Sequence, residues 1–331
     1  MRRTILAGDV GGTKIHLGLY RADGEVLDRI ADELFATRES SSLEAVIAQF
    51  LQGRDDAIAA ACFGAPGPVI DGVSRPVNIP WEMEEESLTR ALGGAPVRLL
   101  NDLEATAWGT LHLRDTEIAT LQAGATRAAR SNVVVIAAGT GLGEGGMVHT
   151  GNGWRVVACE GGHADFAPRN EEQVRLLQFL QREFDHVSFE RVVSGPGLHN
   201  IYRFLLSRGG DAEPPWLTEQ SKTADAAAAI AEAGLAGSDA RCVHALEIFV
   251  AVYGGEAANL ALKYLALGGV YVCGGIAPKI LPALESGGFI RAFLDKGRLR
   301  ATLAQIPVRV CLNPDAALIG AAQVAAAMCN N

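Results

Sequence analysis

The chain has 331 residues, 49% of them hydrophobic and 20% charged, and a formal net charge of −9. That length exceeds what one hydrophobic core ordinarily supports, so two domains or lobes are expected, and the composition excludes a disordered chain. The acidic balance leaves no basic footprint for nucleic acid or an anionic membrane, so a phosphorylated ligand has to be held by a local device.

At the N-terminus, MRRTILAGDVGG carries Asp9 inside its short apolar run, which interrupts it before a signal-peptide core forms. The strings TILAGDV, KIHLGLY and EVLDRIADEL then predict three successive strands, the first two joined by a tight turn at Gly11-Gly12. Leu43, Val46, Ile47, Phe50 and Leu51 follow at helical spacing. After them come an apolar strand AIAAACFG, a Pro/Gly-rich loop APGPVIDG, a short helix EEESLTRALGG, and a strand VRLL that runs straight into a helix DLEATAWGTL. A second unit begins the same way. NVVVIAAGTGLGEGGMV reads as strand, glycine turn and strand, with RVVAC as a third strand. GDVGGT at 8–13 and GTGLGEGG at 139–146 therefore occupy equivalent places in two related halves, which predicts a cleft between lobes. Three apolar helices (TADAAAAIAEAGLAG, the long run from Ala240, and PDAALIGAAQVAAAM) and two strands (GGVYVCGGIAP and IPVRVCL) complete the pattern. Glu256 and Lys263 interrupt the most hydrophobic stretch, so no membrane span is expected. The six cysteines are scattered with no CxxC pair, which predicts reduced thiols in a cytoplasmic protein.

The two glycine turns suit phosphate, because glycine admits close backbone approach and exposes N–H donors. Asp9 beside the first turn is a candidate Mg²⁺ ligand through water, and Thr13 and Thr140 are candidate hydroxyl donors. Each turn taken alone reads equally as a plain tight β-turn. There is no GxxxxGK[ST], so no P-loop. Gly141, Gly143 and Gly146 match GxGxxG, but a strand follows where the dinucleotide fingerprint needs a helix. Asp102 sits where a buried strand meets a helix N-terminus, which keeps a carboxylate ionised and able to accept a hydroxyl proton in phosphoryl transfer. The competing reading is structural: Asn101-x-x-Glu104 is a passable capping box. Glu160 and His163 in ACEGGHADF, and Glu190 in SFERVVSGPG, offer the acceptors and donor that paired sugar hydroxyls need, although each alone also reads as structural.

AGDVGGTK, NDLEATAWG, AAGTGLGEGG, EGGHADFAP, FERVVSGPGLHNIYRF and GGVYVCGGIAPK occur in this order across nearly the whole chain. Together they resemble the bacterial glucokinases of the actin-like sugar kinase superfamily. The resemblance implies an α/β fold of two ribonuclease-H-like lobes with an interlobe cleft (the actin-like ATPase fold), with residues 1–112 plus 313–331 as a small domain and 113–312 as a large one. It implies phosphorylation of glucose by ATP with Mg²⁺, Asp102 acting as base for the 6-hydroxyl. Asn101, Glu160, His163 and Glu190 take the other hydroxyls, with Asn78 in NIPW a weaker candidate. Gly8, Asp9, Val10, Gly11, Gly12, Thr13, Thr140 and Gly141 would hold the phosphates, and Gly274 and Gly275 would lie against adenosine. The resemblance also implies a homodimer. A related branch carries a zinc-binding cysteine cluster near its EGGH-like segment, whereas here Cys159 stands alone and His163 is left to the sugar. Three rivals remain open at this level. The first is a kinase for fructose, mannose or an N-acetylhexosamine; the second is a sugar-sensing regulator on the same fold, though no DNA-binding segment precedes Thr4; the third is a chaperone or filament ATPase, which would not need the Asp102 and Glu160/His163/Glu190 set.

Overall fold

The computed structural model describes residues 3–24, 26–77, 79–125, 130–151, 153–209, 213–220 and 226–329. The chain divides into two compact units, one of residues 1–114 and 313–331, the other of residues 115–312.

In the first unit, β1 (Arg3–Val10), β2 (Lys14–Asp23), β3 (Val26–Ala36) and β4 (Ile58–Ala65) build most of a five-stranded sheet. Between β4 and the last strand the chain adds a small antiparallel sheet of β5 (Val69–Ile70), β6 (Val73–Ser74) and β7 (Met83–Glu84), inside what the sequence presents as loop. Strand β8 (Val97–Asn101) completes the main sheet in the order β3-β2-β1-β4-β8. The period of two in β1 explains the layering. Leu6 and Val10 pack on one face with Val46, Ile47 and Phe50 of α1 (Leu43–Leu51) and Leu88 of α2 (Glu85–Ala91). Ile5 and Ala7 pack on the other face with α3 (Asp102–Thr110) and the C-terminal helix (Ala316–Met328). That helix pair depends on glycine. A Cβ at Gly109 would collide with the Ala316 carbonyl, and one at Gly320 with the Ala105 carbonyl, so α3 lies directly on its partner.

The second unit opens with β9 (Ile118–Gln122), an edge strand that the sequence pattern does not reveal, and continues with β10 (Val133–Ala138), β11 (Leu142–His149) and β12 (Trp154–Cys159). Helices α4 (Glu171–Leu180), α5 (Gly195–Ser207), α6 (Pro215–Gln220), α7 (Ala226–Ala236) and α8 (Ala240–Tyr264) follow. Then come β13 (Gly269–Cys273), α9 (Leu281–Glu285), α10 (Gly288–Leu294), α11 (Arg300–Leu303) and β14 (Val308–Cys311), before the C-terminal helix, α12. Its sheet runs β12-β11-β10-β13-β14-β9. Counted from β10, the first five positions repeat the 3-2-1-4-5 order of the first unit, so the internal echo in the sequence is a repeat of topology. Helix α8 corrects one expectation. At 25 residues it is long and apolar enough to cross a membrane despite Glu256 and Lys263. It is instead mostly buried in the core of this unit, with Phe249, Tyr253 and Ala257 fully inside.

Candidate active site

The groups of the first unit gather at the ends of β1 and β8. Gly11 turns the chain from β1 to β2, donating its N–H to the Lys14 carbonyl at 2.9 Å. Thr37, fully buried, fixes the turn from outside: its Oγ1 donates to the Gly11 carbonyl at 2.7 Å and its backbone N–H to the Thr13 carbonyl at 3.1 Å. Two carbonyls that would repel a phosphate are thereby occupied, and Thr13 is left exposed. No sequence motif marks Thr37, since it acts from 26 residues away. Gly8 has another reason to be glycine. A Cβ there would stand 2.5 Å from Cδ1 of Phe63, so this position serves packing between β1 and β4.

Asp9 is partly buried, and its pKa is pushed up to about 6, first by burial and then by the negative charge of Asp102. His16 and Lys14 pull the other way. Two carboxylates from separate strand ends thus act on each other. Asp102 is exposed in the first turn of α3, and its Oδ1 accepts the Leu103 N–H at 2.7 Å. The capping reading also holds. The Asn101 Oδ1 accepts from the N–H groups of Leu103 (2.9 Å) and Glu104 (3.4 Å), and its Nδ2 donates to the Gly67 carbonyl at 2.9 Å. This cap fixes where Asp102 stands and leaves Asn101 one amide hydrogen for a ligand. Asn78 lies outside the described residues.

In the second unit, three expected elements converge on the start of β11. Glu160 and His163 are exposed on either side of a 3-10 turn, Gly161–His163. A Cβ on Gly161 would strike Oε2 of Glu144, and one on Gly162 the Leu142 carbonyl, so the turn is seated on the β11 backbone and one of its side chains. Glu190, half-buried, reaches the same strand: its Oε2 accepts the Leu142 N–H at 3.0 Å and sits 2.6 Å from where a Cβ on Gly141 would be. Arg191 does not pair with Glu190; its guanidinium lies 4.2 Å from the centroid of the Phe184 ring. The turn at Gly139–Gly141 is anchored by a 2.8 Å bond from the Gly195 N–H to the Gly139 carbonyl, and Thr140 projects as an exposed residue. At the end of β13, Gly274 takes φ +84, where a Cβ would meet the Ala138 carbonyl, and Gly275 faces open space. Both are exposed, next to the strand that carries the second glycine turn. None of these groups lines the cavity of about 1000 Å³ formed elsewhere in this unit by residues including Arg169, Glu247, Arg291 and Arg300.

A family model described as Glucokinase matches residues 6–328. The chain belongs to the glucokinase family. A glucokinase of Nostoc sp. (strain PCC 7120) is 40% identical over 338 residues, spanning 97% of this chain and 98% of the relative. A glucokinase of Chromobacterium violaceum is 39% identical over 319 residues, spanning 96% and 88%. Among solved structures, the glucokinase of an Antarctic psychrotroph superposes with a TM-score of 0.87 at 28% identity, covering 97% of this chain and 98% of that one. A glucokinase of the ROK family from Streptomyces griseus, solved with glucose and AMPPNP, has a TM-score of 0.65 at 23% identity and shares the fold. The repeated 3-2-1-4-5 sheets and these likenesses make the fold the two-lobed actin-like ATPase fold, as the sequence resemblance implies.

Proposed function

We propose that this chain transfers the γ-phosphoryl group of ATP to the 6-hydroxyl of glucose, with Asp102 as the general base. Family membership supports the hexose kinase activity and its substrate. The observation that supports the base is Asp102 at the N-terminus of α3, held by the Asn101 cap and electrostatically coupled to Asp9 of the first glycine turn. In this reading Asp102 orients the hydroxyl and accepts its proton as the bond to phosphorus forms. Glu160, His163, Glu190 and the remaining Asn101 amide hydrogen hold the other hydroxyls, which fixes the sugar in a near-attack position. Backbone N–H groups around Gly11–Thr13, with Thr140 and Gly141, hold the phosphates, and Gly274 and Gly275 lie flat against the adenosine.

Asp9 fits a divalent cation. It is a hard oxygen donor whose ionised form is penalised by burial and by Asp102, and a nearby positive charge removes that penalty. When bound there, Mg²⁺ would supply charge neutralisation on the phosphate oxygens. The resemblance further supports a cytoplasmic homodimer feeding glucose into glycolysis, with residues 1–112 plus 313–331 acting as the small domain, close to the compact unit of residues 1–114 and 313–331; light scattering of the full chain reads the dimer directly.

The test is ADP release from MgATP with a panel of glucose, fructose, mannose and N-acetylmannosamine. Glucose is expected to give the highest kcat/KM. Turnover confined to another sugar would replace the substrate, and no sugar-dependent turnover at all would overturn the kinase reading.

A further inference from the structure

Glu144 is the third residue of β11, 1% exposed, with no hydrogen-bond partner for either carboxyl oxygen among the described residues. An ionised carboxylate left that way would cost several kcal/mol, so the site has to be explained. Its Oε2 occupies the space a side chain at position 161 would need, directly beneath the Gly161–His163 turn. The fully buried Glu256 of α8 acts on it electrostatically and is better provided for: Asn259 Nδ2 donates to its Oε2 at 2.7 Å, and Lys263 Nζ stands 3.7 Å from its otherwise unbonded Oε1. Lys296 in turn contacts the Asn259 carbonyl oxygen. Of the two buried acids, Glu256 therefore has a donor on one oxygen and Glu144 has a donor on neither, among the described residues.

We propose that Glu144 is a positioning residue for glucose: its neutral carboxyl group is a wedge that sets the height and angle of the turn carrying Glu160 and His163. This rests on the reading that those two residues bind the sugar. The wedge works in its protonated form because a neutral carboxylic acid can be buried without a counter-charge, whereas the carboxylate has to draw in water or a donor through the turn above it. The charge balance agrees. Burial, then Glu256, push the Glu144 pKa up to about 8, opposed by Lys263. The other titratable groups facing it are Tyr253 and Tyr264 on α8 and Cys159 on β12, whose Sγ donates to the Glu144 carbonyl at 3.3 Å. Glu160 and His163 flank the contact on the turn itself. Ionisation of Glu144 above its pKa then disturbs the sugar-binding turn before it disturbs the chemistry, so the loss appears in glucose affinity.

The experiment is the pH dependence of KM for glucose and of kcat between pH 7 and 9.5, for wild type, Glu144→Gln and Glu144→Ala. In wild type, KM is expected to rise above about pH 8 while kcat changes little. Glu144→Gln keeps the shape without the proton, so its KM stays low and flat over the range. Glu144→Ala removes the wedge and raises KM about tenfold at pH 7, more than it lowers kcat. A Glu144→Gln enzyme that keeps the wild-type alkaline rise would overturn the proposal even if the alanine variant does not fold. So would a folded Glu144→Ala enzyme with wild-type KM. If wild type shows no glucose-dependent turnover, it is the kinase reading that fails, and the wedge proposal falls with it.

Discussion

Two carboxylates that repel each other do not meet at strand ends for the sake of stability. Asp9 pays for its place: its pKa is raised from 3.8 to about 6, so the folded chain holds that proton more tightly than the unfolded one. The associated stability is present below the unfolded value and is lost as pH rises through about 6. Asp9→Asn is therefore expected to melt higher than wild type at pH 7.5, with the gap shrinking toward pH 5, while turnover with MgATP falls at least about tenfold. A variant less stable than wild type at pH 7.5 would contradict this account of Asp9. If Asp9 holds Mg²⁺ as proposed, the same group sets an acid limb: below about pH 6 a proton competes with the cation, so raising free Mg²⁺ should shift the acid limb of kcat/KM for ATP to lower pH. An acid limb that ignores Mg²⁺ would remove Asp9 from the metal site. Asp9 and Asp102 are legible in the sequence because both sit where an apolar strand gives way to a turn or helix. Thr37 and Glu144 are not, because their partners come from tertiary contact: Thr37 on a turn far back in the chain, Glu144 under a turn reached only after β12.

At the scale of elements, α3 carries the proposed base and α12 decides where α3 lies. Because Gly320 meets the Ala105 carbonyl without room for a Cβ, Gly320→Ala has to push the two helices apart. A loss of about 1–3 kcal/mol is expected from overpacking, with a fall in kcat larger than any change in KM for glucose, since Asp102 moves with α3. Unchanged melting and kcat would show that the helix crossing tolerates a methyl group. The strands of the two main sheets other than β9, and the helices α1, α3, α8 and α12, follow from period and apolar content. What the sequence hides is equally specific. Helix α5 is absent from the sequence reading, because SGPG at its start carries no apolar period; Ser194 accepts the Gly197 N–H there, with proline in the first turn. The strand pair β5–β6 turns at Asp71-Gly72, both at positive φ, inside a Pro/Gly stretch that carries no alternation. Strand β9 is five residues, none of them buried, that become a strand only by pairing antiparallel with β14 at the far end of the unit.

Over the whole molecule, the residues proposed for the site belong to both units: Asp9, Asn101 and Asp102 to one, Thr140, Glu160, His163, Glu190, Gly274 and Gly275 to the other. The repeat of one strand order in both units explains why the two glycine turns recur at matching places. If glucose draws on both sets as proposed, it binds only the folded chain, so it should raise the melting temperature with the logarithm of its concentration over Kd. Glu160→Gln should weaken that shift, and a variant with the full wild-type shift would take Glu160 out of the sugar set. The central claim is that Asp102 accepts the proton of the glucose 6-hydroxyl. Its most direct test is Asp102→Asn, with kcat measured at saturating MgATP and glucose binding measured by calorimetry on the same preparation. A loss of about 10²–10⁴ in kcat is expected, with glucose affinity within a few-fold of wild type. Near-wild-type turnover in Asp102→Asn would contradict it and leave the residue only its role in the first turn of α3.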